Sequence, residues 1–460
     1  MRVLLVSHRY PPHHTAGTEV YTEGLACGLA QRGHEVHVLC THKDVGRTDL
    51  RMLSREQDGV VVHTLVQNLF YRSFQETWSH PGVEKRFQEL LAKVRPEVVH
   101  IQHLLYLSAG LPEMAAAAGA RVLATLHDFG LECARFGQLV DADGDLCHTV
   151  DPMRCGVCLA RFDWRQSALQ RRVGRGLAGL RRVTGLNLAP LAVRKGRTSV
   201  AAGQVEAPKP VAAEEQERYA RGSLSRRAGL LEAYRHAERV FCPSAFLAAR
   251  AIDAGLDAQR VEVLPTGIAK GRMHAARREP RALGAPLRVQ FLGTFVPLKG
   301  AHVVLEAWDQ LGDELKAGAE LRLNGPDEHA PAYAESLAGF AAAVGAQMGG
   351  RLSRDEVHAA LARTDVLVVP SLWFENRPLV ILEALQAGAL VLTSDLGALP
   401  ELVPEPELRF RAGDATALAA CLRRVIRNPE LVEARRAPEL PDWEATVDRV
   451  EAAYRAPVVS

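Results

Sequence analysis

The chain has 460 residues, 47% of them hydrophobic and 24% charged, with a formal net charge of +2. That length suits two or three domains, each able to bury a full core, and so small a charge argues against a polyanion gripped by the whole surface. No apolar run approaches the roughly 18–20 residues that a membrane-crossing helix needs. The opening "MRVLLVS" reads as a first strand rather than a leader, so the expectation is a cytoplasmic protein that begins at its mature residue.

Short apolar runs alternate with helical patterns, as in parallel sheets built from βαβ units. The first series is "RVLLVS", "HEVHVLC", "GVVVHTLV", "PEVVHIQ", "RVLATLH", "RVFCPS" and "VEVLPTG". The second is "LRVQFLG", "AELRLNG", "VLVVPS" and "LVLTSD". Between them "GIAKGRMHAARREPRALGAP" is polar, basic and closed by Pro286, and marks a linker over 268–286. The expected organisation is an N-terminal Rossmann-like domain over 1–267, the linker, a C-terminal domain over 287–440, and a last helix over 441–460 returning to the first domain. The fold class is α/β: two doubly wound domains, with a ligand cleft where the carboxyl ends of their strands face each other.

In chain order, the first strand leads through a Pro-containing loop to Gly17, where a helix begins. A glycine there admits an anion to backbone N–H groups and to the positive end of the helix, although many helices start this way for turn chemistry alone. Four cysteines follow in one short segment, Cys133, Cys147, Cys155 and Cys158, with a C-x2-C pair at its end. A four-thiolate structural zinc is the leading expectation; free or redox-active thiols, disulfides or another metal remain alternatives. Residues 161–198 then carry ten Arg or Lys against one acid, Asp163. One reading is a solvated insertion. The other is a cationic amphipathic stretch on anionic lipid, with Leu177, Leu180 and Val183 near one face. Residues 199–222, rich in Pro, Ala and Glu, read as a mobile linker.

The second domain opens with "FLGTFVPLKG", where a strand ends at Gly293 and Lys299 stands at the start of the next helix, placed to neutralise a phosphate. Later comes "WFENRPLVILEAL" after a buried strand. Pro378 reads as the first helical position, and the helix beyond it points its N-terminus toward the strand ends. Glu375 precedes that helix and Glu383 lies inside it among Ile381, Leu382 and Ala384. A carboxylate there is costly to bury without donors, and two vicinal hydroxyls of a ribose would supply them.

With "GRLSRDEVHAALARTDVLVVPS" before it, "LTSDLGALPELV" after it, and the opening "LAQRGHEVHVL" following Gly17, this Glu-x7-Glu element resembles glycosyltransferase family 4. Those are retaining enzymes of the two-domain GT-B architecture, and the likeness spans nearly the whole chain outside 161–222. It implies transfer of a sugar from a nucleotide-sugar donor to a glycan, a lipid-linked or a small-molecule acceptor, in polysaccharide or other glycoconjugate synthesis. It further implies that Glu383 binds the ribose and Glu375 the donor sugar. Backbone N–H groups around Arg377 to Val380, those of Arg377, Leu379 and Val380, meet the diphosphate, which Lys299 neutralises as it leaves; Asn376, Pro378 and Gly293 count with them among the donor-binding residues. His127 of "TLHD" faces the donor sugar, and Gly17 approaches the reacting centre. Thr294 stands where many members have an arginine, which removes one charge-assisted hydrogen bond, worth about 1.5–3 kcal/mol. No cofactor is expected for catalysis. The alternatives are a sugar-phosphate synthase or phosphorylase on the same fold and, more remotely, a nucleic-acid-binding protein using the basic insertion and the cysteines. The last leaves Glu375 and Glu383 unexplained and lacks aromatic platforms, so no nucleic acid is expected as a partner. A peripheral place at the cytoplasmic membrane follows if the basic stretch meets lipid.

Overall fold

The computed structural model describes residues 1–14, 16–185, 210–267, 277–282, 284–435 and 439–456. It divides into two compact units. The first comprises Met1–Pro243, Leu247–Leu264 and Val447–Ser460, and the second Ser244–Phe246 and Pro265–Thr446.

The first unit is built on eight strands: β1 (Arg2–Val6), β2 (Glu35–His42), β3 (Met52–Gln57), β4 (Val60–Val66), β5 (Val98–Ile101), β6 (Arg121–Thr125), β7 (Arg239–Cys242) and β8 (Val261–Val263). Their order is β3-β4-β2-β1-β5-β6-β7-β8. Every pairing is parallel except β3 with β4. That hairpin turns at Asp58-Gly59, both with positive φ (52° and 75°), the conformation that matches strand twist. Contiguous apolar runs become strands here because both faces of the sheet are covered, and β1 and β5 are buried almost end to end.

The second unit holds β9 (Leu287–Leu292), β10 (Ala319–Asn324), β11 (Gln347–Gly349), β12 (Val366–Val369), β13 (Leu390–Ser394) and β14 (Arg409–Phe410). The order β11-β10-β9-β12-β13-β14 is wholly parallel and reverses between β9 and β12. In open α/β sheets that switch point opens a crevice at the carboxyl ends of the two strands. At the opposite end, Asp365 is fully buried and accepts bonds from Arg288 and Arg278, each at 2.9 Å. Burial raises its pKa, but the Arg288 guanidinium outweighs this and holds the carboxyl below its ordinary value. Arg278 falls in the segment expected as a linker; residues 268–276 and 283 of that segment lie outside the described residues.

The segment expected as a mobile linker over 199–222 is different. Residues Ala213–Arg235 form one helix of 23 residues, while 199–209 lie outside the described residues. Its polar composition conceals a buried face of Tyr219, Ala220, Leu230, Ala233 and Tyr234. The acids serve the outer surface in helical pairs, Arg218 with Glu215 at 3.1 Å and Arg221 with Glu217 at 3.3 Å. Part of the basic stretch is likewise a helix, Ala168–Thr184.

Candidate functional site

Two loops meet at the switch point of the second sheet. The loop after β9 runs from Gly293 through a 3-10 turn at Pro297–Lys299 to Gly300, and a helix follows from Ala301. Gly300 has φ 72°, and a Cβ there would lie 2.0 Å from the Pro370 carbonyl oxygen, so only glycine lets this loop close on the one after β12. The Leu372 N–H donates to the Leu298 carbonyl at 2.8 Å and ties them together.

That closure brings Lys299 Nζ to 2.5 Å from Glu375 Oε1 and 5.0 Å from the centre of the Trp373 ring. Ser371 Oγ and Trp373 Nε1 donate to the same oxygen, each at 2.8 Å. Burial pushes the Glu375 pKa up, but the charge and hydrogen bond of Lys299, with the two neutral donors, bring it below the ordinary glutamate value. Three donors converge on Oε1, and among the described residues no hydrogen bond reaches Oε2. The Glu375 carbonyl accepts from the Ala398 N–H at 2.9 Å. Gly397, at φ 65°, passes so close that a Cβ would meet that carbonyl at 2.6 Å.

Helix Leu379–Ala387 starts from Pro378, which is the N-cap and not, as expected, the first helical residue: its ψ of 122° is extended. No side chain caps this end, so its first N–H groups, those of Leu379 and Val380 included, are without intrahelical partners. Asn376 accepts from Ser244 Oγ, and Arg377 Nε donates to the Thr266 carbonyl at 3.3 Å. One turn into the helix, Glu383 is 9% exposed, and no hydrogen bond to its carboxylate forms among the described residues. Burial lifts its pKa to about 7, against a small opposing pull from Arg354. Thr294 contributes its carbonyl to the Val296 N–H at 2.8 Å and brings no cation to the site.

Two family models match this chain, one described as Glycosyl transferases group 1 over residues 275–437 and the other as Glycosyltransferase Family 4 over residues 15–178. The chain belongs to glycosyltransferase family 4. An α-(1→4)-mannosyltransferase of Mycolicibacterium hassiacum is 33% identical over 172 residues, 35% of this chain and 40% of that protein. A glycogen synthase of Mycobacterium tuberculosis is 28% identical over 177 residues, 38% of this chain and 42% of that one. The chain thus spans about two-fifths of the length of the curated relatives it matches. The fold is GT-B. The sucrose-phosphate synthase of Thermosynechococcus elongatus has a TM-score of 0.62 at 17% identity, covering 99% of this chain and 98% of its own. An Anabaena protein solved with UDP and glucose has 0.58 at 15%, covering 99% of each chain.

The remaining residues that the family 4 pattern singles out lie on the first unit. Gly17 opens helix Gly17–Gln31, and a Cβ there would meet nothing within 4 Å. The fold itself therefore does not require a glycine at this position. His127 follows β6, its Nε2 3.0 Å from Gln102 Oε1 and its ring edge-on to Tyr21. Burial pushes its pKa down to about 3, with His103 adding to the effect, so the ring is neutral at physiological pH.

The sequence reading passed over His8, Glu19, His103 and Asp128, which gather at the same strand ends. His103 Nε2 lies 2.9 Å from Asp128 Oδ2, the His8 and His103 rings are 4.4 Å apart, and His8 Nε2 is 3.5 Å from Glu19 Oε1. Among the described residues, Glu19 Oε2, His8 Nδ1 and Gln102 Nε2 are buried with no hydrogen-bond partner. The available signal for His8, His103 and Asp128 was their position just after β1, β5 and β6, where ligands bind in this fold; Glu19 comes from the first turn of helix Gly17–Gln31.

Cys155 and Cys158 share helix Pro152–Ala160, and Cys133 and Cys147 lie close enough to raise the Cys155 pKa, which burial chiefly lifts to about 12. All four thiols are free. Among the described residues no group of three or more His, Cys, Asp or Glu is arranged to hold a metal ion. Two overlapping Asp-x-Asp pairs occur in this segment, Asp141-Ala142-Asp143 and Asp143-Gly144-Asp145. Asp141 is committed to its own turn, accepting the N–H groups of Asp143 and Asp145 and bonding Arg154 Nε at 2.7 Å.

Proposed function

We propose that this family 4 chain transfers a sugar, with retention at the anomeric carbon, from a nucleotide-diphosphate donor to an acceptor hydroxyl. The observation that carries the reading is the Lys299–Glu375 pair at the switch point, beside an uncapped helix that holds a buried carboxylate with no donor. In this reading the ribose diol donates to Glu383. The diphosphate lies on the N–H groups of Leu379 and Val380 and beside Lys299, and Glu375 Oε2 takes a hydroxyl of the donor sugar. The acceptor oxygen bonds to the anomeric carbon while the bond from that carbon to the diphosphate oxygen breaks. The acceptor's proton passes to the departing phosphate oxygen. With Glu375 already engaged by three donors, neither carboxylate is placed as a nucleophile, and attack comes from the face that the leaving group vacates. Fixed N–H dipoles and Lys299 stabilise the charge that develops on the leaving group. Since these groups supply that stabilisation, turnover persists in EDTA; a strict need for an added divalent ion would contradict the mechanism.

On the first unit, we assign contact with the acceptor, whether glycan, lipid-linked or small molecule, to the unpartnered atoms of Glu19 and Gln102. The donor assignment is tested by thermal shift against UDP-, GDP-, ADP- and dTDP-sugars. A donor at 100 times its Kd stabilises the chain by about 2.7 kcal/mol, and Glu383→Ala removes the shift. No shift with any of the four, with full activity in Glu383→Ala, would sink the reading.

A further inference from the structure

We infer that helix Ala168–Thr184 is a docking surface for an anionic bilayer. The helix has five arginines and no acid. Leu169, Val173, Leu180 and Val183 stand 71%, 46%, 40% and 85% exposed. Their spacings of 4, 7 and 3 residues place all four on one face. This stripe shares Leu180 and Val183 with the one expected from sequence, but Leu177 is half-buried and Leu169 and Val173 take its place. Soluble proteins seldom leave a continuous aliphatic stripe in water.

The opposite face holds the helix to the first unit. Gly174 packs so close to Phe70 that a Cβ would lie 3.0 Å from Cζ. Arg171 Nη1 donates to the Tyr71 carbonyl at 3.2 Å, and Arg181 Nη1 reaches Asp44 Oδ2 at 3.3 Å. A capping box closes the start, with Ser167 Oγ accepting the Gln170 N–H and Gln170 Oε1 accepting that of Ser167. The outward stripe is thereby fixed in direction.

Charge complementarity selects the occupant. Arg172, Arg175 and Arg182 are exposed along the helix. At its C-terminal end an open cavity of about 720 Å³ is lined by Arg47, Arg51, Arg86, Arg181 and Arg182, with Asp49 the one acid in its lining. Asp44 pairs with Arg47 and Arg181 and Glu89 with Arg86, so among the described residues the uncompensated charge is that of Arg51 and Arg182. A helix with aliphatics outward and arginines beside them lies in the plane of a membrane interface, its side chains in the acyl boundary and its guanidinium groups at lipid phosphates. No described helix is long and apolar enough to cross a membrane, so this contact is peripheral.

The inference is independent of the donor chemistry, and its test keeps the two apart. The full chain is sedimented with phosphatidylcholine vesicles, with and without 30% phosphatidylglycerol, at low and high salt. The expected result is binding to the anionic vesicles alone, weakened at least tenfold by high salt, by Leu169→Asp with Val183→Asp, and by Arg172→Ala with Arg175→Ala. Thermal shifts with nucleotide-sugars, read in the same variants, stay unchanged and report intact folding. A chain that stays in the supernatant with anionic vesicles overturns the inference, as do variants that bind like the parent. A concentration-dependent dimer that Leu169→Asp with Val183→Asp dissolves, without vesicle binding, overturns it in favour of a second copy of the chain.

Discussion

Burial without a donor leaves Glu383 with a pKa of about 7, where an ordinary glutamate has 4.5. Because folding raises it, the carboxyl's contribution to stability is complete below about pH 4.5 and is lost as the pH climbs through 7. A ribose diol that donates to the carboxylate reverses this preference, since it binds the ionised form. Donor affinity should therefore rise about tenfold between pH 6 and pH 8, while the phosphates of a nucleotide-sugar stay ionised throughout. Calorimetric titration at three pH values measures it. Glu383→Gln should bind more weakly and flatten the profile; an unchanged profile in that variant would remove Glu383 from the ribose. Lys299 acts at another stage, because charge on the leaving diphosphate grows as the bond breaks. Lys299→Ala should lower kcat by about 10²–10³-fold with a smaller change in donor affinity. An equal loss in binding and turnover would show uniform binding instead.

At the scale of elements, the pairing of the β9 and β12 loops decides whether Lys299 and Glu375 meet at all, and Gly300 is the closest point of that pairing. Gly300→Ala places a side chain at φ 72° with its Cβ 2.0 Å from the Pro370 carbonyl. The backbone strain alone is about 1–3 kcal/mol, and relief requires the loops to part. Urea unfolding followed in the second unit, with kcat on the same sample, should show both falling; loss of stability with normal turnover would mean that the pair tolerates the shift. The Glu-x7-Glu unit was legible because both acids sit in one loop-helix stretch where apolar neighbours make them conspicuous. The ion pair was not, because 76 residues separate its members and only the strand order brings them together. Short edge strands escaped for a related reason: β11 has three residues and β14 two, too few to show an apolar run. Four of the six residues of β3 are polar and it pairs antiparallel, so it lacks the buried-run signature.

For the whole molecule, the doubly wound pattern could be read because parallel strands covered on both faces need unbroken apolar runs. The composition of 199–222 misled because a long helix that buries one face needs few apolar residues. The chain's end rests on burial of the same kind. From Val447 onward, helix Trp443–Arg455 belongs to the first unit. Val447 and Val450 are fully buried, Tyr454 is nearly so, and Tyr454 Oη lies 2.7 Å from His100 Nδ1. Arg121 Nη1 donates to the Tyr454 and Ala456 carbonyls, and Glu451 Oε1 lies 2.9 Å from His34 Nε2. Each large side chain so buried is worth about 1.5–3 kcal/mol, against a usual domain stability of about 5–15 kcal/mol. Truncation after Thr446 should therefore lower the Tm of the first unit by about 10 °C or more. The second unit, which holds Lys299, Glu375 and Glu383, should keep its thermal shift with the donor. Scanning calorimetry of the truncated and full chains, with and without nucleotide-sugar, separates the two transitions. An unmoved first transition would mean that the last helix only decorates the sheet it covers.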